Sequence, residues 1–282
     1  MSEERARYWR HPALPEVDLL RARFITHRFG RHVHESYNFS VIEQGVEEFE
    51  HRGTLLRAGP GSIVVVNPDT VHTGQAVHPE GWVYRGMYPS ADLVAEVAAE
   101  LGMPPGTPYF PETVLDDPEA ARLLSAAHRA GEHGDALAAS SLLRSALAGM
   151  LRRHADRAPP GDLAAAVPPA VHAAREILHA RLVDPPSLEE LAAAVGMRPF
   201  PLLRAFRAAT GLPPHAYLNQ IRVREARRLL DGGDPLAAVA AQAGFADQSH
   251  LTRHFKRSLG VPPGAYRRAR AAAWARPVHY RT

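Results

Sequence analysis

The sequence predicts an α+β chain of two domains: an N-terminal β-barrel or sandwich with helices after it, and an all-α C-terminal domain. Three observations carry this. Short β-branched and aromatic runs, punctuated by Gly, Asn and Pro, fill residues 21–89. From Asp92 onward the apolar residues recur at helical spacing instead. The charge also changes sign along the chain. The length of 282 residues suits two ordinary domains, and 45% hydrophobic with 22% charged residues lets each bury a core. Cysteine is absent, which excludes disulfides, thiolate catalysis and Cys-held zinc or iron–sulfur centres. The longest strongly apolar stretch, Ser62–Val66, is far short of the ~20 residues that span a bilayer. Glu3, Glu4 and Arg5 stand where a signal peptide needs an apolar run, so the chain reads as cytoplasmic with no membrane partner.

Taken in order, Tyr37–Ile42 alternates in part, Gly45 and Gly53 mark turns, and Ser62–Val66 is closed by Asn67-Pro68-Asp69. Trp82–Tyr88 is a further aromatic-rich strand. Leu93, Val94, Val97 and Leu101 share one helix face, with Gly102 as the stop. Leu137, Leu143, Leu147, Met150 and Leu151 mark a longer helix opened by Asp135 as N-cap, and its apolar stripe makes it the candidate seam of a homodimer. The domains are therefore residues 1–157 and 170–282, joined by a Pro- and Ala-rich linker over 158–169. After residue 169 there are 17 Lys and Arg against 8 Asp and Glu, a net of +9, leaving −6 before it. That polarity points to double-stranded DNA as the partner of the C-terminal part, the other reading being a solvated basic surface.

The C-terminal part contains a duplication. Ser187-Leu-Glu-Glu-Leu-Ala-Ala-Ala-Val-Gly196, Leu202, Phe206, Gly211, Pro213-Pro214 and Tyr217 recur as Pro235 to Gly244, Leu251, Phe255, Gly260, Pro262-Pro263 and Tyr266. Each copy has the grammar of a helix-turn-helix. Ser187 with Glu190 forms a capping box, and Asp234-Pro235 predicts an N-cap followed by proline at the first helical position. Gly196 and Gly244 supply the positive φ that leaves the first helix. Leu202 with Phe206, and Leu251 with Phe255, anchor the second helix at i, i+4. Its opposite face then carries Phe200, Leu203, Arg204 and Arg207 in one copy, and Gln248, Ser249, His250, Thr252, Arg253 and Lys256 in the other. Arg and Gln match base edges bidentately, while Lys suits phosphate.

Gly244-Phe245, Gln248–Arg257 and Gly260–Arg267 resemble the signature of the AraC/XylS family of transcription regulators, and the likeness extends back to about Ala170. It implies two recognition helices in successive major-groove segments, held in line by a connecting helix around Ala216–Leu230. It also implies sequence-specific transcription regulation, with a small-molecule effector and RNA polymerase as partners. The first copy departs from the pattern: Arg198-Pro199-Phe200-Pro201 stands where a serine cap and polar side chains are usual.

Members of that family commonly carry a cupin-like barrel ahead of the DNA-binding domain, and residues 27–90 resemble one. His32-Val33-His34, Asn38, Gly45 and Gly61 through Pro68 to His72 carry the likeness, although metal-using cupins have glutamate where Asn38 stands. Two histidines at i, i+2 face the same way on a strand, so His32, His34 and His72 are candidates to converge in the interior. They would line an effector pocket with Tyr37, Asn38, Trp82 and Arg85, or hold a divalent metal. The other reading of the aromatic members is ordinary core. An enzyme is the weaker expectation, since no Ser/His/Asp set, phosphate loop or dinucleotide loop stands out. The alternative to a regulator is a cupin-type metal-binding sensor or enzyme joined to a DNA-binding domain.

Overall fold

The computed structural model describes residues 4–12, 14–157 and 168–274. Most of the expected linker, residues 158–167, lies outside the described residues. The chain divides into two compact units, one holding residues 1–158 and the other residues 159–267.

The first unit begins with nine strands: β1 (Arg5–Arg10), β2 (Val17–Phe24), β3 (Phe29–His32), β4 (Asn38–Gln44), β5 (Glu47–His51), β6 (Thr54–Ala58), β7 (Ile63–Val66), β8 (His72–Ala76) and β9 (Trp82–Pro89). After them come α1 (Ala91–Glu100), β10 (Pro108–Tyr109), β11 (Val114–Leu115), α2 (Pro118–His133), α3 (Ala136–His154) and β12 (Asp156–Arg157). Six strands make one antiparallel sheet in the order β1-β2-β9-β4-β7-β11, and four make a second in the order β3-β8-β5-β6. These are two facing sheets, a jelly-roll-like sandwich, and not a single sheet closed on itself. The β region also starts earlier than residue 21, because β1 and β2 pair over six positions from Arg5↔Arg23 to Arg10↔Asp18.

The large sheet is covered on both faces. Leu19, Phe39, Val41, Ile63, Val65 and Met87 pack on one side against Val94, Val97, Leu124, Leu143, Leu147, Met150 and Leu151 of the helices. Alternation then turns Asn38, Ser40 and Ile42 of β4, with Tyr84 and Tyr88 of β9, toward the small sheet. Asp135 caps α3 as expected, accepting from the Ala138 N–H at 3.0 Å. The apolar stripe of α3 is largely spent within the unit, and Leu137, 78% exposed, is the member left outside. Helix α2 had no sequence expectation; Asp117 caps it by accepting from the Ala120 N–H at 3.0 Å.

The second unit is helical: α4 (Pro169–Ala180), α5 (Leu188–Ala194), α6 (Pro199–Thr210), α7 (Pro214–Asp231), α8 (Leu236–Gln242), α9 (Gln248–Leu259) and α10 (Pro263–Trp274), the last running past its end. The duplication is visible in the packing. Phe206 meets Tyr217 edge-on at 5.3 Å and Phe255 meets Tyr266 edge-on at 5.4 Å. The capping box at Ser187 and Glu190 forms in both directions, at 3.1 and 2.8 Å. The second copy starts one residue later than expected. Pro235 itself occupies the N-cap position of α8, so Asp234 falls outside the helix. Gly196 and Gly244 leave their helices at φ of 68° and 77°. They differ in surroundings: a Cβ at Gly244 would stand 2.5 Å from the Leu182 carbonyl oxygen, whereas Gly196 faces open space.

Candidate functional site

Two groups of residues carry chemistry. The first is on α6 and α9. In α9, Leu251 and Phe255 are buried and fix which side of the helix points out. Gln248, Ser249, Arg253 and Lys256 are exposed, and Thr252 is half-buried beside them. Asp247 caps the helix by accepting from the His250 N–H at 2.7 Å. His250 is placed differently from its neighbours, with its Nδ1 3.4 Å from the Ala246 N–H and its ring edge-on to Phe245 at 5.3 Å. It organises the turn and is only half-exposed.

Helix α6 repeats this arrangement. Leu202 and Phe206 are buried, Arg204 and Arg207 are exposed, Leu203 is half-buried, and Phe200 is 77% exposed. Arg198 holds the N-cap position without a side-chain cap, and Pro199 begins the helix, where no N–H is needed. Helix α7 covers the expected connector and extends beyond it at both ends. An aromatic ring exposed to this extent has no packing role in the unit and is available for contact with a partner.

The second group lies inside the sandwich. His32 and His72 sit directly opposite each other on β3 and β8, with ring centroids 4.2 Å apart. His34 closes the group at 4.8 Å from His32 and 5.1 Å from His72. The Nδ1 of His32 lies 2.8 Å from the Gly30 carbonyl oxygen, and that of His72 lies 3.1 Å from the Thr70 carbonyl oxygen. Both rings are buried, at 4% and 6% exposure. Burial disfavours their charged forms, moving His32 down to about 4 against the pull of the Gly30 and His72 carbonyls, and His72 well below its ordinary value. Both imidazoles are therefore neutral at pH 7.

The other expected pocket residues separate into two sets. Asn38 faces the interior, where its Oδ1 accepts from the Ser40 hydroxyl at 2.6 Å. Trp82 is fully buried, stacks on Tyr84 with centroids 6.1 Å apart, and keeps an indole N–H with no partner among the described residues. Tyr37 and Arg85 lie on the helix-facing side of the large sheet and do not join the histidines. Tyr37 stacks on Phe39 in the core, and its hydroxyl donates to the Pro108 carbonyl. Arg85, 5% exposed, donates to Glu43 at 2.6 Å, Glu132 at 2.8 Å and the Nδ1 of His128 at 2.9 Å. It ties β9 and β4 to α2, a structural role.

Sequence reading missed several interior groups. Ser40, Tyr88 and Glu47 belong to the same lining. Tyr88 shares hydrogen bonds with Ser40 and Tyr84, and its ring stands 5.3 Å from that of His34. Gly86 leaves room for this, since a Cβ there would lie 3.0 Å from the Tyr88 hydroxyl. Desolvation raises the Glu47 carboxyl to about 8 and drives both tyrosines up. His51 sits opposite His72 across β5 and β8, and burial holds it down to about 4. The i, i+2 parity with Asn38 was the available signal for Ser40. No sequence signal singled out Glu47 among the acids around it.

Both regions of the chain match known families. Residues 14–147 match the AraC-like ligand binding domain family, and residues 191–269 match a helix-turn-helix domain family. YbfI, an uncharacterized HTH-type transcriptional regulator of Bacillus subtilis, is 27% identical over 238 residues, covering 83% of this chain and 86% of its own. A putative AraC-like transcription regulator of Streptomyces antibioticus is 38% identical over 123 residues, which is 42% of this chain and 41% of its own. In fold, the chain is similar to ToxT from Vibrio cholerae, with a TM-score of 0.56 at 12% identity over 90% of this chain and 98% of that one. Among the described residues no helix is long and apolar enough to cross a membrane. The chain belongs to the AraC-type family of transcription regulators, with an N-terminal ligand-binding domain ahead of a helix-turn-helix DNA-binding domain.

Proposed function

We propose that α9 is the principal reading helix, α6 a supporting one, and the interior of the sandwich the place where a small effector sets DNA affinity. The observation that carries this reading is the division of α9 into a buried Leu251–Phe255 side and an exposed Gln248, Ser249, Arg253 and Lys256 side. Arg253 suits the O6 and N7 edge of guanine, Gln248 suits adenine, and Lys256 suits phosphate. In α6, Arg204 and Arg207 stand at the positions of Arg253 and Lys256 in the repeat, while Phe200 offers an apolar ring to a thymine methyl.

ToxT has been solved with an unsaturated fatty acid bound. The interior of this chain presents imidazoles, phenols and the Ser40 hydroxyl, which fit a small molecule bearing a hydroxyl or carboxylate. Such a ligand changes DNA affinity only as far as it binds one arrangement of the protein better than another. The relatives regulate transcription, and we assign no catalytic step to this chain. It works in the cytoplasm, as a homodimer with RNA polymerase as a further partner. A second copy raises avidity by doubling the DNA contacts, and Leu137 is the exposed apolar residue on α3 that a dimer would cover.

Selection of duplexes from a random pool by the full chain tests the reading. It predicts an enriched sequence bound with a log affinity that falls against log salt by about 0.9 per phosphate contacted. No enrichment at low salt would overturn it. Sedimentation of the same protein at micromolar concentration checks the dimer, and a monomer mass would remove that part.

A further inference from the structure

We propose that His32, His34 and His72 form a binding site for one divalent first-row transition-metal ion, held by three imidazole nitrogens between the two sheets. This deepens the reading of the sandwich interior as the sensing site and rests on it. One ring nitrogen from each residue lies within 4.8 Å of the other two. An ion 2.0–2.1 Å from each nitrogen in tetrahedral geometry needs them about 3.4 Å apart. No pair therefore has to close by more than about 1.4 Å. His34 is only half-buried and not part of a regular strand, so rotation of its side chain can bring it toward the two buried rings.

The two buried rings are already oriented as ligands. A carbonyl oxygen can only accept, so the Nδ1 atoms of His32 and His72, facing Gly30 and Thr70 carbonyls, carry the protons. In His72 the Nε2 then keeps its lone pair, while the His32 ring is shared between the Gly30 and His72 carbonyls. Metal-held imidazoles are oriented in this way, by a backbone acceptor on the other ring nitrogen. The two residues are also a cross-strand pair, so their convergence follows from strand register, and β8 places His51 on the far side of His72.

The donor set narrows the ion. Imidazoles suit zinc, nickel, copper, cobalt and ferrous iron, while magnesium and calcium require oxygen ligands. No thiolate is available in this cysteine-free chain. Three protein ligands leave at least one coordination position open, and the Tyr88 ring, 5.3 Å from His34, borders the group.

The test uses the full chain, stripped with a chelator and titrated with Co²⁺, whose visible absorption reports ligand number, followed by displacement with Zn²⁺. One equivalent should bind at micromolar metal with the spectrum of a low-coordinate nitrogen site. His34→Ala and His72→Ala should each weaken binding at least tenfold, while His133→Ala, on the outside of α2, leaves it unchanged. His34→Gln, at the half-buried position, serves if His72→Ala fails to fold. Absence of stoichiometric binding to the unaltered chain would overturn the proposal, as would equal binding by the His34 variants. If an organic effector still changes DNA affinity through His34 and no cobalt binds, the metal is wrong and the pocket stands. If neither acts through His34, both fall.

Discussion

Replacing Glu47 with Gln should flatten a pH dependence of stability that the buried carboxyl creates. In the folded chain desolvation raises Glu47 from 4.5 to about 8. A carboxyl with a raised folded pKa keeps its proton in the native state after the unfolded state has lost it. Native stability is then fully present below pH 4.5 and declines as pH rises to about 8. Each pH unit in that window costs up to about 1.4 kcal/mol. By pH 7 the loss is about 3 kcal/mol, and because Glu47 is only half-buried, screening by water reduces it to roughly 2 kcal/mol. Glutamine preserves shape and removes the charge. Urea unfolding followed by fluorescence, with Trp9 and Trp82 reporting on the sandwich, should give equal midpoints for both proteins near pH 4.5 and a more stable variant at pH 7 to 8. A difference between the two that stays constant across this range would refute the reasoning.

Two substitutions in the helical unit probe its turns and caps. Gly244→Ala should cost roughly 2–4 kcal/mol, since a positive φ is combined with a Cβ 2.5 Å from the Leu182 carbonyl oxygen, while Gly196→Ala should cost only about 1–2 kcal/mol. Thermal melts of the pair check the order, and equal losses would contradict it. Ser187→Ala removes the acceptor for the Glu190 N–H and should lower stability by about 1 kcal/mol, read as a shift in denaturation midpoint.

The helical unit was legible because its signals are local. The Ser187–Glu190 box, the glycine stops and the spacing of Leu251 and Phe255 all act within one or two turns of helix. Asp247 as the cap of α9 follows the same grammar. The sandwich was legible only in outline. Residues Ile63–Val66 are buried on both faces, so alternation disappears from the sequence where the sheet is most enclosed. The direction of a side chain there depends on register with distant strands. That is why no local pattern separates Arg85 and Tyr37, which face the helices, from the histidines, or singles out Glu47. Arg85 is held by acids 42 and 47 residues away, a pairing that no local pattern reveals. His32 and His34 were legible as a pair through their i, i+2 spacing, although His34 lies just past the end of β3, and His72 joins them through strand register.

The most direct test of the account is the binding of Arg253→Ala to a selected duplex and to a scrambled duplex of equal length, at one salt concentration. Arg253 is exposed on the polar face of α9, opposite the buried Leu251 and Phe255. A base-reading arginine predicts a loss of about 1–3 kcal/mol on the selected duplex, roughly 5- to 150-fold, and almost none on the scrambled one. Equal losses on both duplexes would make Arg253 a phosphate contact and contradict the assignment of α9 as the reading helix.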